Sequence, residues 1–463
     1  MIIASQSRPH VIGGLAYRYL VAIAFIIALF ADVLDATIVN VALPTLGREL
    51  AVGNDVLQWV VTGYLLSLAI WIPASGWLGD RFGTKRIFLL ALSIFLGGSA
   101  LCGFAWNADS LIAFRVLQGI GGGMLTPVGT TMVVRAFPRE ERARGSAIIG
   151  VPAVLAPVLG PLIGGYLVDS VGWRWIFFVN LPIGLIGLVF AALVLREHRE
   201  PRPGRFDIPG FVLAASSLGT LLYAFSRVPD AGWTSGAVIG WLATGLVAGL
   251  ALIYVESRKR EPMLQLRLFR DRVFATSNLA HVLTVAGLVG TLFLMPLYLQ
   301  GLRGLSAWES GLTSFPQAVG LVCAMPLAGL LYPRVGARPL AVAGLLITAV
   351  SAGLLSTSDL QTTLWIVRAV LFARGLGFGL ALLPLQTATF ANIALSDTGG
   401  ASALFNTLRQ VAASLGVAAL ASVLSSATGV ADFHAAFGAS AVLGVAATGA
   451  ALRLPDVGRR QQL

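Results

Sequence analysis

Long apolar runs recur along the whole chain and restrict its possible folds more than any other feature. The hydrocarbon core of a bilayer is about 30 Å thick and a helix rises about 1.5 Å per residue, so one crossing needs roughly 20 apolar residues. Fourteen runs of that kind occur: 17–41, 56–78, 86–106, 110–133, 142–167, 174–194, 206–226, 234–254, 273–299, 307–331, 339–358, 363–388, 398–424 and 432–452. No ten-residue alternating strand pattern is present, and backbone groups in lipid must be hydrogen-bonded within their own segment. The predicted fold class is an all-α integral membrane protein with fourteen transmembrane helices.

The basic residues test this topology. Most of the 32 lysines and arginines fall in alternate loops, which places those loops and both termini in the cytoplasm. The same scattering accounts for the net charge of +11 and argues against a nucleic-acid partner. Cys102 and Cys323 lie in distant spans, so neither a disulfide nor a metal site is expected. The preference for arginine over lysine, with many alanines and glycines, is typical of a GC-rich bacterial genome. For a bacterial protein with this many spans, the expected location is the inner membrane.

Two segments repeat weakly and divide the chain. GWLGDRFGTKR at 76–86 aligns with GLLYPRVGARP at 329–339, and QGIGGG at 118–123 aligns with RGLGFG at 374–379. Duplicated halves are common in secondary transporters. We therefore predict a first six-helix bundle at 1–195, an inserted two-helix linker at 196–269, and a second six-helix bundle with a short tail at 270–463.

The first repeated segment resembles the loop between the second and third helices of the major facilitator superfamily. The resemblance implies the major facilitator fold and a cytoplasmic gate that holds the two halves together when the cavity opens outward. The matching residues are Gly76, Asp80, Arg81, Gly83, Lys85 and Arg86. Asp80 is expected to pair with an arginine or with a helix amino terminus of the opposite half. The alternative is a plain topogenic turn, and the second copy has Pro333 in place of the aspartate.

Three further segments narrow the resemblance to drug/proton antiporters with fourteen helices. They are LDATIVNVALP at 34–44, GPLIGG at 160–165 and WRWIFFVNLPIG at 173–184. The second implies an antiporter hinge made of Pro157, Gly160, Pro161, Gly164 and Gly165, although Ala156 departs from the family pattern. Close helix packing by these small residues is the alternative interpretation.

Charged residues within spans are the candidates for proton coupling, because a lone charge at mid-bilayer costs about 2.5–3.5 kcal/mol on the insertion scale. Asp32 and Asp35 share one face of the first helix, and Arg115 lies in the fourth. Two close carboxylates repel each other, which favours proton uptake by one of them. Asp35 could instead only form a salt bridge with Arg115, and Asp32 could be a half-solvated cavity residue.

Polar and aromatic residues in or beside spans are candidates for the substrate cavity. They are Tyr64, Trp71, Gln118, His281, Tyr298, Gln317, Gln386, Asn406 and Arg409. Helix packing explains such residues equally well; Arg409 could line only an aqueous face, and His281 is expected to hydrogen-bond a neighbouring helix.

The resemblance implies a proton-coupled antiporter that exports amphipathic or cationic small molecules. It would need no cofactor beyond the proton gradient and would act as a monomer in the bilayer. A dedicated exporter of one metabolite or lipid and a non-transporting sensor are the alternatives, whereas nothing in the sequence indicates an enzyme.

Overall fold

A computed structural model describes residues 11–12, 15–137, 156, 159–200, 205–259, 264–393, 397–424 and 429–455. These residues are almost entirely helical. A short antiparallel pair, β1 (Val11–Ile12) and β2 (Leu15–Ala16), precedes the first helix. Within the described residues, thirteen helical segments are long and apolar enough to cross a membrane, and each corresponds to one predicted span. The predicted span 142–167 lies mostly outside the described residues.

The described residues up to 200 contain seven helical segments. They are α1 (Tyr17–Leu50), α2 (Asn54–Phe82), α3 (Thr84–Gly103), α4 (Ala108–Ala136), α5 (159–170), α6 (Trp175–Phe178) and α7 (Asn180–Val194). The short α6 and α7 together make one membrane-spanning segment. Helix α1 continues well past the predicted limit at residue 41, which carries it through Pro44 to the surface.

The remaining helices begin with a hairpin. Its two members are α8 (Ile208–Ala231) and α9 (Gly236–Arg258). After a 3₁₀ turn at Leu266–Arg270 come α10 (Arg272–Pro296), a π-helical turn at Leu297–Leu302, α11 (Ala307–Val335), α12 (Ala337–Leu355), α13 (Leu364–Phe390), α14 (Thr398–Ala421) and α15 (Val430–Leu452).

The helices pack in two groups, one from the first part of the chain and one from the last part. Helices α1 to α4 and α7 pack on one another, and α10 to α15 form a second group. Helix α2 meets α14 between the groups, and α8 lies against both of them. The hairpin therefore covers part of the seam between the two groups. The division at residues 195 and 269 stays a prediction.

The repeated loop has the same backbone form in both copies. Gly83 follows α2 with φ of 104°, and Gly336 follows α11 with φ of 88°. Side chains rarely adopt these angles, so glycine permits the sharp change of direction before α3 and α12. We call the end of the molecule that carries these two turns the loop end, and the other the far end.

Candidate functional site

A buried ion pair between α1 and α4 forms the centre of the site. The side chain of Asp35 is 0% exposed and that of Arg115 is 1% exposed, and the two carry opposite charges in direct contact. Gln118, one turn after Arg115, donates from Nε2 to Asp35 Oδ1 over 2.9 Å and accepts from Arg115 Nη1 over 2.7 Å. Because the pair is withdrawn from water, each charge depends on the other and on these hydrogen bonds. The salt bridge offered by the sequence as an alternative for Asp35 is thus present.

Asn180 on α7 completes the surroundings of Asp35 and was not predicted as a site residue. Its Nδ2 donates to Asp35 Oδ1 over 2.8 Å and to Ser99 Oγ on α3 over 3.1 Å. Asn180 is the asparagine of the motif WRWIFFVNLPIG at 173–184. That motif was the sequence signal that could have identified it as a site residue. Side chains of α4 and α7 therefore hold the carboxylate of α1, and α3 holds Asn180 in place.

Tyr64 on α2 joins the second carboxylate to this network. Its hydroxyl donates to Asp32 Oδ1 over 2.6 Å. The guanidinium carbon of Arg115 lies 3.9 Å from the centre of the Tyr64 ring, and Arg115 Nε donates to Val60 O over 3.1 Å. Asp32 and Asp35 are thus connected through Tyr64 and Arg115, which provides a polar route between two protonatable groups.

Residues of the second group of helices approach Asp32. Arg409 on α14 interacts electrostatically with both Asp32 and His281. The His281 ring stacks on Phe405 with centroids 4.5 Å apart. Both His281 ring nitrogens lack a hydrogen-bond partner among the described residues, so the expected bond to a neighbouring helix is not found. Asp32 of the first group and His281 and Arg409 of the second group therefore form a polar cluster beside the Asp35–Arg115 ion pair.

The other residues predicted for the substrate cavity are scattered. Trp71 packs on Phe211 of the inserted hairpin, and Asn406 donates to Ser402 O within its own helix. Tyr298 is buried and packs on aromatic side chains of α15. Gln317 is buried on α11, whereas Gln386 is exposed on α13.

The predicted gate is at the loop end. Arg135 Nη2, on α4, lies 3.3 Å from Asp80 Oδ1 and 3.1 Å from Glu200 Oε1. Backbone N–H groups of Lys85 and Arg86 donate to the Glu197 carboxylate over 3.0 and 3.2 Å. Among the described residues, the hydrogen bonds and ion pairs of Asp80 stay within the first group of helices. The predicted pairing with an arginine is present, and among the described residues Asp80 makes no hydrogen bond or ion pair with the opposite half.

Hydrogen bonds between the two groups occur at the far end, where α5 belongs to the first group because its Gly164 packs against Ile38 of α1. The carboxylate of Asp169 on α5 accepts from the backbone N–H groups of Ala307 and Trp308, over 3.2 and 2.7 Å, at the start of α11. Gln300 Nε2 donates to Val41 O over 2.8 Å. In this arrangement the far end is bridged, while Asp80 at the loop end is paired within its own group.

The predicted hinge lies where α5 passes other helices. A Cβ on Gly164 would come within 2.8 Å of Ile38 Cγ1, and one on Gly165 within 2.7 Å of Ala307 O. Gly160 faces Thr37 equally closely, and Pro161 O lies against Gly311 of α11. Pro157 lies outside the described residues. Close packing is therefore present at these positions, as the alternative interpretation held, and hinge motion stays a prediction.

Among the described residues no group of three or more histidine, cysteine, aspartate or glutamate side chains could hold a metal ion. The site instead offers buried carboxylates, a tyrosine hydroxyl and arginines that span several helices. Such a network can take up a proton and exchange hydrogen-bond partners when helices move.

Comparison with known proteins identifies the family, similar sequences and a similar fold. A family model described as the Major Facilitator Superfamily matches residues 25–417. The multidrug transporter protein MdtP of Bacillus subtilis is 34% identical over 418 residues, which cover 90% of this chain and 77% of that protein. A multidrug resistance protein B homolog of Mycobacterium tuberculosis is 36% identical over 398 residues, covering 84% and 73% of the two chains. The crystal structure of a peptide transporter POT in complex with sulfate has a TM-score of 0.71 at 17% identity, with 98% of each chain covered, and so shares the fold.

Proposed function

Because the chain belongs to the Major Facilitator Superfamily, and so is a multi-pass membrane transporter of small molecules rather than an enzyme, we propose that it is a multidrug efflux antiporter. It exports amphipathic or cationic compounds in exchange for protons by alternating access. The names of its relatives as multidrug transporters support this substrate class. It acts as a monomer in a bacterial inner membrane, with the loop end and both termini in the cytoplasm.

The buried Asp35 carboxylate is the observation that carries the proposal. It is balanced by one guanidinium and by donors from two further side chains, Gln118 and Asn180. Protonation would neutralise Asp35 and weaken its attraction to Arg115, so the bonds between α1, α4 and α7 would rearrange. When helix movements open a cavity to this carboxylate, it also attracts a cationic substrate. Proton and substrate would therefore compete for the same negative charge.

The bridging contacts support assigning this arrangement to the state of the transport cycle in which the far end is closed. Asp169 and Gln300 join the groups at the far end, whereas Asp80 is paired with Arg135 of its own group. In the proposed cycle these far-end contacts break when the cavity opens outward, and the loop end then closes. One proton moving inward with the field supplies about 2.3 kcal/mol per 100 mV.

The test is substrate-induced proton movement in proteoliposomes. Wild type, Asp35→Asn and the control Asp109→Asn are compared over a panel of lipophilic cations and neutral drugs. Asp109 is exposed at the start of α4, so its neutralisation should leave transport unchanged. We expect proton release from acid-loaded vesicles in wild type and the control, and none in Asp35→Asn.

Three outcomes would contradict the proposal. Full proton coupling in Asp35→Asn would remove the aspartate from the mechanism. No response to any compound by folded wild-type protein would favour a dedicated exporter of one metabolite or lipid, and binding without flux would favour a sensor.

A further inference from the structure

A second buried arginine lies in the other half of the molecule and is not used by the proposed mechanism. Arg374 is in the middle part of α13, in the segment 374–379 that repeats 118–123, and its relative exposure is 1%. Its Nη2 donates to Thr291 Oγ1 over 2.7 Å, to Ser440 Oγ over 2.8 Å and to Gly287 O over 3.2 Å. All of these acceptors are neutral.

The charge of Arg374 is therefore uncompensated among the described residues. Its Nε and Nη1 atoms have no hydrogen-bond partner there. Of the helices packed around it, α10, α12, α13 and α15 carry one acidic side chain in total, Asp432 in the first turn of α15, and α11 carries one, Glu309, in its own first turn. Eight residues separate Asp432 from Ser440, which is about 12 Å along the helix. Arg115, by contrast, is in direct contact with Asp35.

A small cavity lies beside this guanidinium. It is bounded by Arg374 together with Leu283, Thr284, Gly287, Leu345, Thr348, Phe378, Ser440 and Gly444. Its volume of about 10 Å³ is near the minimum for one small group. The Thr284 and Thr348 hydroxyls donate to backbone carbonyls of their own helices, so the arginine supplies the free donors.

We propose that this cavity binds one monatomic anion, chloride under cellular conditions, held by Nε and Nη1 of Arg374. An unpaired guanidinium inside a membrane protein is costly, and a bound anion both neutralises it and accepts its unused N–H groups. The small volume excludes sulfate and the carboxylate of a larger molecule. The anion fixes α13 against α10 and α15 in the second half, and this role does not depend on drug or proton transport.

The test is radioactive ³⁶Cl⁻ binding to the purified full-length protein by scintillation proximity, with bromide, sulfate and gluconate as competitors. We expect saturable binding that bromide displaces and that sulfate and gluconate do not. Arg374→Met removes the charge at similar length and should abolish binding. Arg368→Met, on the same helix but outside the cavity lining, is the matched control and should bind as wild type does.

A second variant keeps the arginine and fills the space. A Cβ on Gly287 would lie 3.8 Å from Ser440 Oγ, an ordinary contact, so Gly287→Ala should fold while occupying part of the cavity. We expect its chloride affinity to fall roughly tenfold, whereas Gly353→Ala, which meets nothing within 4 Å, should leave it unchanged. No saturable binding by wild type, or equal binding by Arg374→Met, would overturn the proposal and leave water as the occupant.

Discussion

At the scale of single residues, the surroundings of Asp35 determine what the site can do. Arg115 supplies the opposite charge, and Gln118 and Asn180 each donate to the same carboxylate oxygen. Two of these donors lie one turn apart on α4 and the third lies on α7, so the geometry around the carboxylate depends on how α1, α4 and α7 pack. The site is therefore sensitive to helix movements that leave the individual side chains unchanged.

Asn180→Ala should destabilise the protein by about 1–2 kcal/mol, because it removes donors to a charged oxygen and to Ser99 between packed helices. Asn40→Ala is the matched control. Asn40 is also buried, but its amide bonds only to carbonyls of its own helix. Midpoints of thermal unfolding in detergent measure the difference, and equal midpoints for the two variants would show that Asn180 does not stabilise the network.

The two glycines predicted for the gate should respond oppositely to alanine. Gly83→Ala should cost about 1–3 kcal/mol, because φ there is 104° and a Cβ would overlap the Glu197 carboxylate. Gly76 lies within α2, and a methyl group added there would meet nothing within 4 Å, so Gly76→Ala should stabilise by up to about 1 kcal/mol. Thermal unfolding checks both, and a neutral Gly83→Ala would mean that the turn can relax.

The sequence identified Asp35, Arg115 and Gln118 because charged and amide groups are rare within apolar spans. It did not identify Asn180 as a partner of Asp35, since the two are 145 positions apart and no local pattern joins them. Arg374 was visible as an arginine within a span. Its lack of an acidic neighbour depends on which helices pack around it, and that is a tertiary property.

At the scale of helices, the contact of α5 with α11 carries the far-end closure. Gly165 and Gly311 allow the two backbones to approach closely, and Asp169 caps the first N–H groups of α11. A carboxylate at a helix amino terminus is favourable both as a hydrogen-bond acceptor and through the helix dipole. One side chain thus contributes directly to the balance between two arrangements of the molecule.

Asp169→Ala should shift that balance toward opening at the far end by about 1 kcal/mol, or roughly fivefold. Leu297 lines a cavity at the far end together with Pro44, Arg48 and Gln300. A reporter thiol is introduced there by Leu297→Cys in a Cys323→Ser background. Its reaction rate with a membrane-impermeant maleimide should rise about fivefold in the Asp169→Ala variant. Asp169→Asn keeps an acceptor oxygen and should give a smaller rise; an unchanged rate in Asp169→Ala would contradict the role of the cap.

The inserted hairpin should become less stable only in strong acid. Asp207 caps α8 and pairs with Lys259 at the end of α9. Burial opposes ionisation, but hydrogen bonds with Glu256, Lys259 and the Gly210 N–H prevail and hold the pKa of Asp207 below its ordinary value. A lowered pKa gives stability that is fully present above the unfolded value of about 3.9 and is lost as the pH falls through the folded value. In a Glu256→Gln background, which removes the neighbouring titratable carboxyl, the difference in unfolding midpoint between Asp207 and Asp207→Asn should therefore be constant from pH 7 to about 5 and shrink below about 4. A constant difference down to pH 3 would contradict this.

At the scale of the whole molecule, the bilayer makes the number and direction of helices predictable, because each crossing needs its own apolar run. The thirteen spans found among the described residues match predicted ones for that reason. The position of the hairpin was not predictable in the same way. Its outer faces are apolar wherever it lies in lipid, so only tertiary packing places α8 against α2 and α14 at the seam.

Aromatic contacts should fix the hairpin to the first group of helices. Trp71 of α2 meets Phe211 of α8 with ring centroids 5.4 Å apart at 68°. A double-mutant cycle with Trp71→Ala and Phe211→Ala should give a coupling free energy of about 0.5–1.5 kcal/mol, the range for such ring pairs. In the control cycle, Phe225→Ala replaces Phe211→Ala, because Phe225 packs on Trp233 instead, and its coupling with Trp71 should be near zero. Equal coupling in the two cycles would mean that this contact does not hold the hairpin. A coupling confined to Trp71 and Phe211 would show that this ring pair attaches α8 to α2, and therefore that the hairpin belongs with the first group of helices rather than with α14.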